Sequence, residues 1–173
     1  MSACYKKFDF SKETKKYFIT FKGNKYASKK REHIIHCFEK YNDEKNIIID
    51  RRNSKYDYDD LMKNSLFGLV VEGDLPWSYR FTEVINSGCI PIIIKPKNEN
   101  ILAFHELIDY SLFSIVIHEE EIDNVMVHIL PNLTEDKIKS MLYHLEIVNN
   151  KYFISREKQM DGVMEILEKR LEN

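Results

Sequence analysis

Glycine and proline are scarce in this sequence, with five and four residues among 173. No stretch has the composition of a flexible linker, and the length suits one domain with a substantial core. No apolar run approaches the ~20 residues that a membrane-spanning helix needs, and the first ten residues, MSACYKKFDF, lack the apolar stretch of a signal peptide. These absences predict a cytoplasmic, single-domain protein without a transmembrane segment.

Cysteine and histidine are also too sparse, or too scattered, for a metal or disulfide framework. The three cysteines, Cys4, Cys37 and Cys89, lie far apart without a CxxC pair, and the six histidines form neither HxH nor HxxxH. We therefore predict no metal site. Cys89 stands in the apolar run CIPIII, which indicates a buried thiol that acts as a small hydrophobic side chain.

A strong excess of charge of either sign is absent, because the formal net charge is −2. Binding to nucleic acid usually needs a basic excess or a basic face, so we predict no nucleic-acid partner. Lysines do crowd the N-terminus, and we interpret residues 1–15 as a basic segment that precedes the folded domain.

What the sequence does contain is an alternation of apolar runs and amphipathic segments. β-rich or apolar runs at 16–21, 46–50, 66–71, 89–94 and 113–117 predict strands, and the segments between them at 28–41, 56–65, 78–87 and 101–110 predict helices. Ser28 and Thr134 are expected N-caps, and Gly88 is an expected C-cap. After residue 118 the pattern is helical only, at 119–130, 134–148 and 155–173.

This alternation predicts an α/β fold. Residues 16–173 are expected to form a single Rossmann-like domain, with a mostly parallel sheet, helices on both faces and additional C-terminal helices. In such sheets ligands bind beyond the carboxyl ends of the strands. Apolar residues of the last helix recur at helical spacing, which predicts that they pack on the back of the sheet; they are Met160, Val163, Met164, Ile166, Leu167 and Leu171.

The segment SLFGLVVEGDLPWSYRFTEVINSGCIPIII (65–94) contains the most informative loop. Gly73 permits close backbone approach, and Ser78 is placed to cap the following helix, whose free N–H groups favour an anion. Arg80 in the first turn opposes the helix dipole unless an anion lies there, and Glu83 is placed one turn further to accept hydrogen bonds from sugar hydroxyls. Together they suit a ribose and a diphosphate. The alternative is that Arg80 pairs with Glu72 or Asp74, and that Glu83 is solvated.

Other phosphate and metal motifs are less consistent with the sequence. Neither GxGxxG nor GxxxxGK[ST] occurs, so dinucleotide and P-loop sites are not supported. The acidic run YDYDD contains the spacing of a metal-binding DxD motif, but it leads into a helical pattern, where Asp57, Asp59 and Asp60 serve as caps and dipole partners.

Residues 55–94 resemble the C-terminal half of the exostosin-type glycosyltransferase domain. The matching positions are Tyr58, Leu61, Ser65, Phe67, Leu69, Gly73, Ser78, Arg80, Glu83 and Gly88 to Pro91. Upstream, YFITFKGNKY matches with Phe21, Lys22 and Gly23, and two downstream segments, around 102–121 and 149–158, extend the resemblance to the end of the chain. Four positions depart from the usual pattern: Gly68 replaces a cysteine, Val71 and Ala103 replace prolines, and Tyr110 replaces a tryptophan. The first two lie around the loop and are expected to alter its shape.

The resemblance implies an inverting, nucleotide-sugar-dependent enzyme of GT-B arrangement, whose C-terminal Rossmann-like domain holds a UDP-linked donor. Arg80 would then face the diphosphate and Glu83 the ribose, while Lys22, Gly23 and Lys25 would approach the phosphates. The complete predicted site is Lys22, Gly23, Lys25, Glu72, Gly73, Asp74, Ser78, Arg80 and Glu83. The donor is a substrate, and we predict no cofactor.

The resemblance also implies a glycan or glycoconjugate acceptor, yet about sixteen residues precede the first strand, and an acceptor-side domain is not among them. A second copy or a partner chain would then supply the acceptor side. No residue stands out as the catalytic base, since Asp74, His105 and Glu106 are equally plausible as surface residues. Two functions remain open: a minimal or split glycosyltransferase, and a non-catalytic nucleotide-sugar-binding or interaction module.

Overall fold

The computed structural model describes residues 15–24, 28–42, 47–51, 56–71, 79–95 and 102–172. The strands are β1 (Tyr17–Gly23), β2 (Ile47–Arg51), β3 (Ser65–Val71), β4 (Ile90–Ile94) and β5 (Ile115–Ile117). The α-helices are α1 (Lys29–Glu39), α2 (Tyr58–Lys63), α3 (Tyr79–Asn86), α4 (Ile122–Asn124), α5 (Glu135–Val148) and α6 (Arg156–Leu171). Helix α4 continues into a π-helical turn (Val125–Ile129), and a second π-helical turn (Asn149–Phe153) joins α5 to α6. None of the described helices is both long and apolar enough to span a bilayer.

All five strands pair in parallel, in the order β2-β1-β3-β4-β5. This is a doubly wound order, in which the chain moves outward from β1 in one direction and from β3 in the other. The predicted α/β, Rossmann-like architecture is therefore confirmed. The crevice of such a sheet lies where the direction reverses, at the carboxyl ends of β1 and β3.

Both faces of the sheet are covered, which explains the continuously apolar strands. Helix α1 packs Ile34, Ile35 and Phe38 on one face, together with residues of α4 and its π-helical turn. The other face is covered by α3, through Phe81, Val84 and Ile85, and by residues from the end of α5 and the π-helical turn that follows it.

Local capping rules account for most helix boundaries. Ser28 accepts a hydrogen bond from the Arg31 N–H, and Thr134 accepts one from the Lys137 N–H, as expected for N-caps. Asp57 caps α2 by accepting a 2.8 Å hydrogen bond from the Asp60 N–H, which confirms the capping interpretation of that acidic run. Gly88 has a φ of 66°, a left-handed conformation that ends α3 and favours glycine.

The helix predicted over 101–110 is wrong within the described residues. Residues 103–107 form turns, and Phe104 has a left-handed φ of 55°. Its ring stacks on Tyr152, with centroids 5.4 Å apart, and Gly162 of α6 lies against both rings. Tertiary contacts with α6 therefore override the helical pattern of this segment.

The predicted burial of the last helix is also wrong. Five of the six apolar residues are between 41 and 87% exposed, and the sixth, Ile166, is half-buried; the five are Met160, Val163, Met164, Leu167 and Leu171. The helix faces the domain instead with Gly162, whose missing side chain admits the rings of Tyr152 and Phe104. Hydrogen bonds from Lys169 and Arg170 to Glu106 also attach α6 to the segment that contains Phe104. The glycine, and not the apolar stripe, decides which face is buried.

Cys89 is a buried small side chain, as predicted. It is fully buried, and its Sγ lies within hydrogen-bond distance of two carbonyl oxygens, those of Met62 (2.8 Å) and Ser65 (3.2 Å), to which its one proton can be donated. Burial raises the pKa of the thiol to about 12. The unfolded chain therefore loses this proton near pH 9 and the folded chain only near pH 12, so stability falls as the pH rises through this window.

We expect the free energy of unfolding of the wild type to decrease above pH 9 more steeply than that of Cys89→Ala. The extra slope has an upper limit of about 1.4 kcal/mol per pH unit. Urea unfolding with reductant between pH 8 and pH 10.5 measures it, and the tyrosines contribute equally to both proteins. Parallel pH profiles would contradict the assignment.

Candidate functional site

Arg80 occupies the reversal point of the sheet. It lies in the first turn of α3, which follows β3, and its guanidinium reaches across to the end of β1, where Nη2 donates to the carbonyl oxygen of Lys22. Only 9% of the residue is exposed. The guanidinium also stacks on two rings, with Cζ 5.1 Å from the centroid of Phe21 and 5.2 Å from that of Tyr58. A buried cation is thus fixed at the N-terminus of a helix whose dipole opposes it.

Gly23, the last residue of β1, makes room for this guanidinium. A Cβ at position 23 would lie 2.6 Å from Arg80 Nη2. The predicted role of Gly23 was close backbone approach to phosphate, whereas in this structure the side chain that approaches it is Arg80. The two residues, 57 positions apart in sequence, form one unit.

Glu83 belongs to the same cluster. Its Oε2 accepts a 2.7 Å hydrogen bond from the Tyr58 hydroxyl and lies 3.8 Å from Arg80 Nη1, and its side chain is 49% exposed. Arg80 Nη1 in turn donates to the Tyr58 hydroxyl oxygen at 2.6 Å. Burial raises the pKa of Tyr58 well above its ordinary value, so the phenol keeps the proton that it donates to Glu83. The carboxylate is therefore held by a neighbour and not merely solvated.

Arg31 is a second buried cation, and we did not select it from the sequence. It lies in the first turn of α1, is 8% exposed, and its Nη2 is 3.4 Å from the carbonyl oxygen of Val71 at the end of β3. Its Cζ is 5.8 Å from the same Phe21 ring that contacts Arg80. The signal that identified Arg80, a cation just after a helix N-cap, is present here too: Arg31 stands three residues after Ser28.

The Lys22 side chain was expected to approach the phosphates, but it points toward β2 and Tyr56 instead. Its ammonium donates to the carbonyl oxygen of Tyr56 and lies 3.9 Å from Asp50 Oδ2 at the end of β2. The residue contributes its backbone carbonyl to Arg80. The remaining predicted site residues, Lys25, Glu72, Gly73, Asp74 and Ser78, lie outside the described residues, so their predicted roles stay predictions.

Two of the candidates for a general base, Glu106 and His105, are described by the structure. Glu106 contacts α6, and His105 contacts its own turn. Glu106 accepts hydrogen bonds from the Arg170 guanidinium, which lowers the pKa of that carboxyl group and makes it a weaker base. His105 Nδ1 is 3.2 Å from the carbonyl oxygen of Leu102. The structure assigns no general base within the part of the chain that it describes.

The model of the Exostosin GT47 domain matches residues 6–133, well over half of the chain. The chain belongs to the exostosin family. This exostosin-family chain is 29% identical over 180 residues to "Exostosin-1 homolog" of Caenorhabditis elegans, covering 92% of the chain and 46% of that relative. It is 28% identical over 178 residues to "Exostosin-1" of Drosophila melanogaster, covering 91% and 23%.

The chain thus spans less than half of the length of these curated relatives. The family model covers the matching positions from Phe21 to Pro91 and the segment around 102–121, and it ends before the segment around 149–158. Four described members of the predicted site, Lys22, Gly23, Arg80 and Glu83, are brought together at the ends of β1 and β3 by the fold.

Proposed function

We propose that this exostosin-family domain binds a nucleotide-sugar donor, UDP-linked, at the carboxyl ends of β1 and β3, and forms the donor side of an inverting glycosyltransferase. The observation that carries the proposal is the position of Arg80: a buried guanidinium in the first turn of α3, at the reversal point of a doubly wound sheet. Ligands of such sheets bind at this point, and helix N-termini favour anions there.

The diphosphate is the part of the donor that the described residues suit best. Arg31 and Arg80 contact the same Phe21 ring from the first turns of α1 and α3. Two guanidinium groups and two helix N-termini therefore lie close to the carboxyl end of β1. Guanidinium groups bind phosphate through several hydrogen bonds at once. In this proposal these arginines, rather than a metal ion, stabilise the negative charge that develops on the departing diphosphate.

The nucleoside is assigned to Glu83. Its carboxylate lies one turn after Arg80 on α3 and is half exposed, so it is accessible to a ligand. A carboxylate accepts hydrogen bonds only, which complements the two hydroxyl groups of a ribose. With the diphosphate at Arg80, the proposed position of the ribose is along α3, beyond its first turn.

The transfer itself requires an acceptor hydroxyl to attack the anomeric carbon as the bond to the diphosphate breaks, while a general base takes the hydroxyl proton. In this proposal the described residues stabilise the leaving group only. We propose that the acceptor side, for a glycan or glycoconjugate, comes from a second copy or from a partner chain. The alternative is a non-catalytic module that binds the donor without transfer, and turnover of a UDP-sugar distinguishes the two.

Thermal unfolding with UDP, GDP and a panel of UDP-sugars tests donor binding. A ligand at ~100 times its dissociation constant stabilises the fold by ~2.7 kcal/mol, which for this size corresponds to a rise in Tm of roughly 5–10 °C. We expect UDP to raise Tm, UMP to raise it less, and uridine to leave it unchanged, because the diphosphate carries the charge that Arg80 binds. A Tm unchanged by all these nucleotides would refute the proposed donor site.

A further inference from the structure

The Tyr58 hydroxyl links the two groups to which the diphosphate and the ribose are assigned. It accepts a 2.6 Å hydrogen bond from Arg80 Nη1 and donates a 2.7 Å hydrogen bond to Glu83 Oε2. A phenol has a single proton. Because the guanidinium can only donate, that proton is directed at Glu83, and the direction of both hydrogen bonds is set by chemistry.

Glu83 depends on this hydrogen bond for its position. The side chain is half exposed, and its distance to Arg80 Nη1, 3.8 Å, exceeds that of a hydrogen bond. Within the part of the chain that the structure describes, both contacts of the carboxylate involve Oε2, so Oε1 faces no described donor. Tyr58 itself is fixed, because it begins α2 and its ring lies against the Arg80 guanidinium.

On the basis of the proposed donor site, we propose that Tyr58 is a positioning residue. It keeps the Glu83 carboxylate out of a direct hydrogen bond with Arg80, so that the carboxylate is available to the ribose hydroxyls, and it thereby makes the site selective for ribonucleoside diphosphates over their deoxy counterparts. A site built to accept hydrogen bonds from substrate hydroxyls rejects a ligand that lacks them, because the polar group of the site then loses its partner.

Removal of the Tyr58 hydroxyl has a defined consequence. Tyr58→Phe keeps the ring that stacks on Arg80 and deletes only the bridging oxygen. Arg80 Nη1 and Glu83 Oε2, already an ion pair at 3.8 Å, can then approach further and form a direct hydrogen bond. The carboxylate would turn from the ribose toward the guanidinium, and the site would lose its means of sensing the hydroxyls.

The test compares UDP with 2′,3′-dideoxy-UDP by isothermal titration calorimetry, in the wild type and in Tyr58→Phe. If GDP is the diphosphate that binds, GDP and its dideoxy analogue are used. We expect the wild type to prefer the ribonucleotide by about tenfold or more, the change that one charge-assisted hydrogen bond produces. In Tyr58→Phe the preference should fall to about twofold, through weaker binding of UDP, while the affinity for the dideoxy analogue stays within about twofold of the wild type.

Two further variants make the test decisive. Glu83→Ala removes the acceptor that Tyr58 positions and should abolish the same preference, including in the event that Tyr58→Phe does not fold. Tyr79→Phe, at a neighbouring tyrosine that is 85% exposed, should change neither affinity. A preference that persists in Glu83→Ala or in folded Tyr58→Phe overturns the inference, as does equal weakening of both ligands in Tyr58→Phe, which indicates a purely structural tyrosine.

Failure of the inference is distinguishable from failure of the proposed function. If the wild type binds UDP and its dideoxy analogue equally, the donor site stands and the role of Tyr58 at the ribose is refuted. If the wild type binds no nucleoside diphosphate, the proposed function fails, and the inference fails with it.

Discussion

Arg80→Gln is expected to weaken UDP binding by about 100-fold, while the protein remains folded. The substitution removes the buried charge and the fork of donors that a diphosphate requires, and hydrogen bonds to charged groups contribute about 1.5–3 kcal/mol each. Calorimetric titration gives the loss in affinity, and circular dichroism confirms the fold. Arg156→Gln is the matched control, because Arg156 also lies in the first turn of a helix, α6, but is exposed. Equal affinity in Arg80→Gln and wild type would exclude Arg80 from the site.

Gly23→Ala should reproduce much of this loss without any change in charge. Its Cβ would lie 2.6 Å from Arg80 Nη2, so the guanidinium must leave its place over the Phe21 ring. We expect UDP affinity to fall by at least about tenfold. Gly162→Ala is a crowded-glycine control in α6, with Tyr152 Cδ1 2.9 Å from the new Cβ. It should lower stability but leave the affinity of the folded protein intact, whereas wild-type affinity in Gly23→Ala would refute the steric argument.

Gly68→Ala is expected to have the largest effect on stability. Gly68 is an interior residue of β3, and a Cβ there would lie 2.8 and 2.9 Å from the two γ-carbons of Val84 on α3. Overpacking of this kind costs about 1–3 kcal/mol. We expected the glycine at position 68, where the resemblance predicts a cysteine, to alter the shape of the loop. Gly68 instead lies within β3, so its small size affects how α3 packs on the sheet.

A double-mutant cycle with Val84→Ala tests this packing. Val84→Ala alone should destabilise the protein by leaving a cavity, but in combination with Gly68→Ala it removes the atoms that clash. The double variant should therefore be more stable than the sum of the single changes predicts, by about 1 kcal/mol or more. Urea unfolding at neutral pH measures all four proteins. Additive effects would show that the strand and helix separate freely and that the contact is unimportant.

The fold was largely predictable because its determinants are local. Continuously apolar runs such as CIPIII (89–94) indicate strands that are buried on both faces of a sheet. Ser28, Asp57 and Thr134 mark the starts of helices, because their side-chain oxygens accept hydrogen bonds from N–H groups of the first turn. The helix predicted over 101–110 failed for the complementary reason. Its pattern is local, but the conformation of Phe104 is set by its contact with Tyr152 and α6.

The candidate site was predictable in part. Arg80 is conspicuous because a cation at a helix start conflicts with the dipole, and Glu83 follows one turn later on the same face. Arg31 carries the same local signal on α1, but its proximity to Arg80 is a tertiary feature, since both side chains contact the Phe21 ring. The Tyr58 bridge depends equally on tertiary structure, since Tyr58 lies on α2 and its partners Arg80 and Glu83 lie on α3.

The sequence by itself determined that this is a parallel α/β domain and where most of its helices begin. It also identified two charged residues of α3, Arg80 and Glu83, that lie at the carboxyl end of the sheet. Periodicity, capping and dipole complementarity act within a few residues, so they can be recognised without a structure. Only the tertiary structure decided that β1 lies beside β3, which brings Arg80 into contact with Lys22 and Gly23. It also decided that two buried arginines contact Phe21 and that the apolar stripe of α6 is exposed. These contacts join residues tens of positions apart, and strand order and close packing, not local preference, select them.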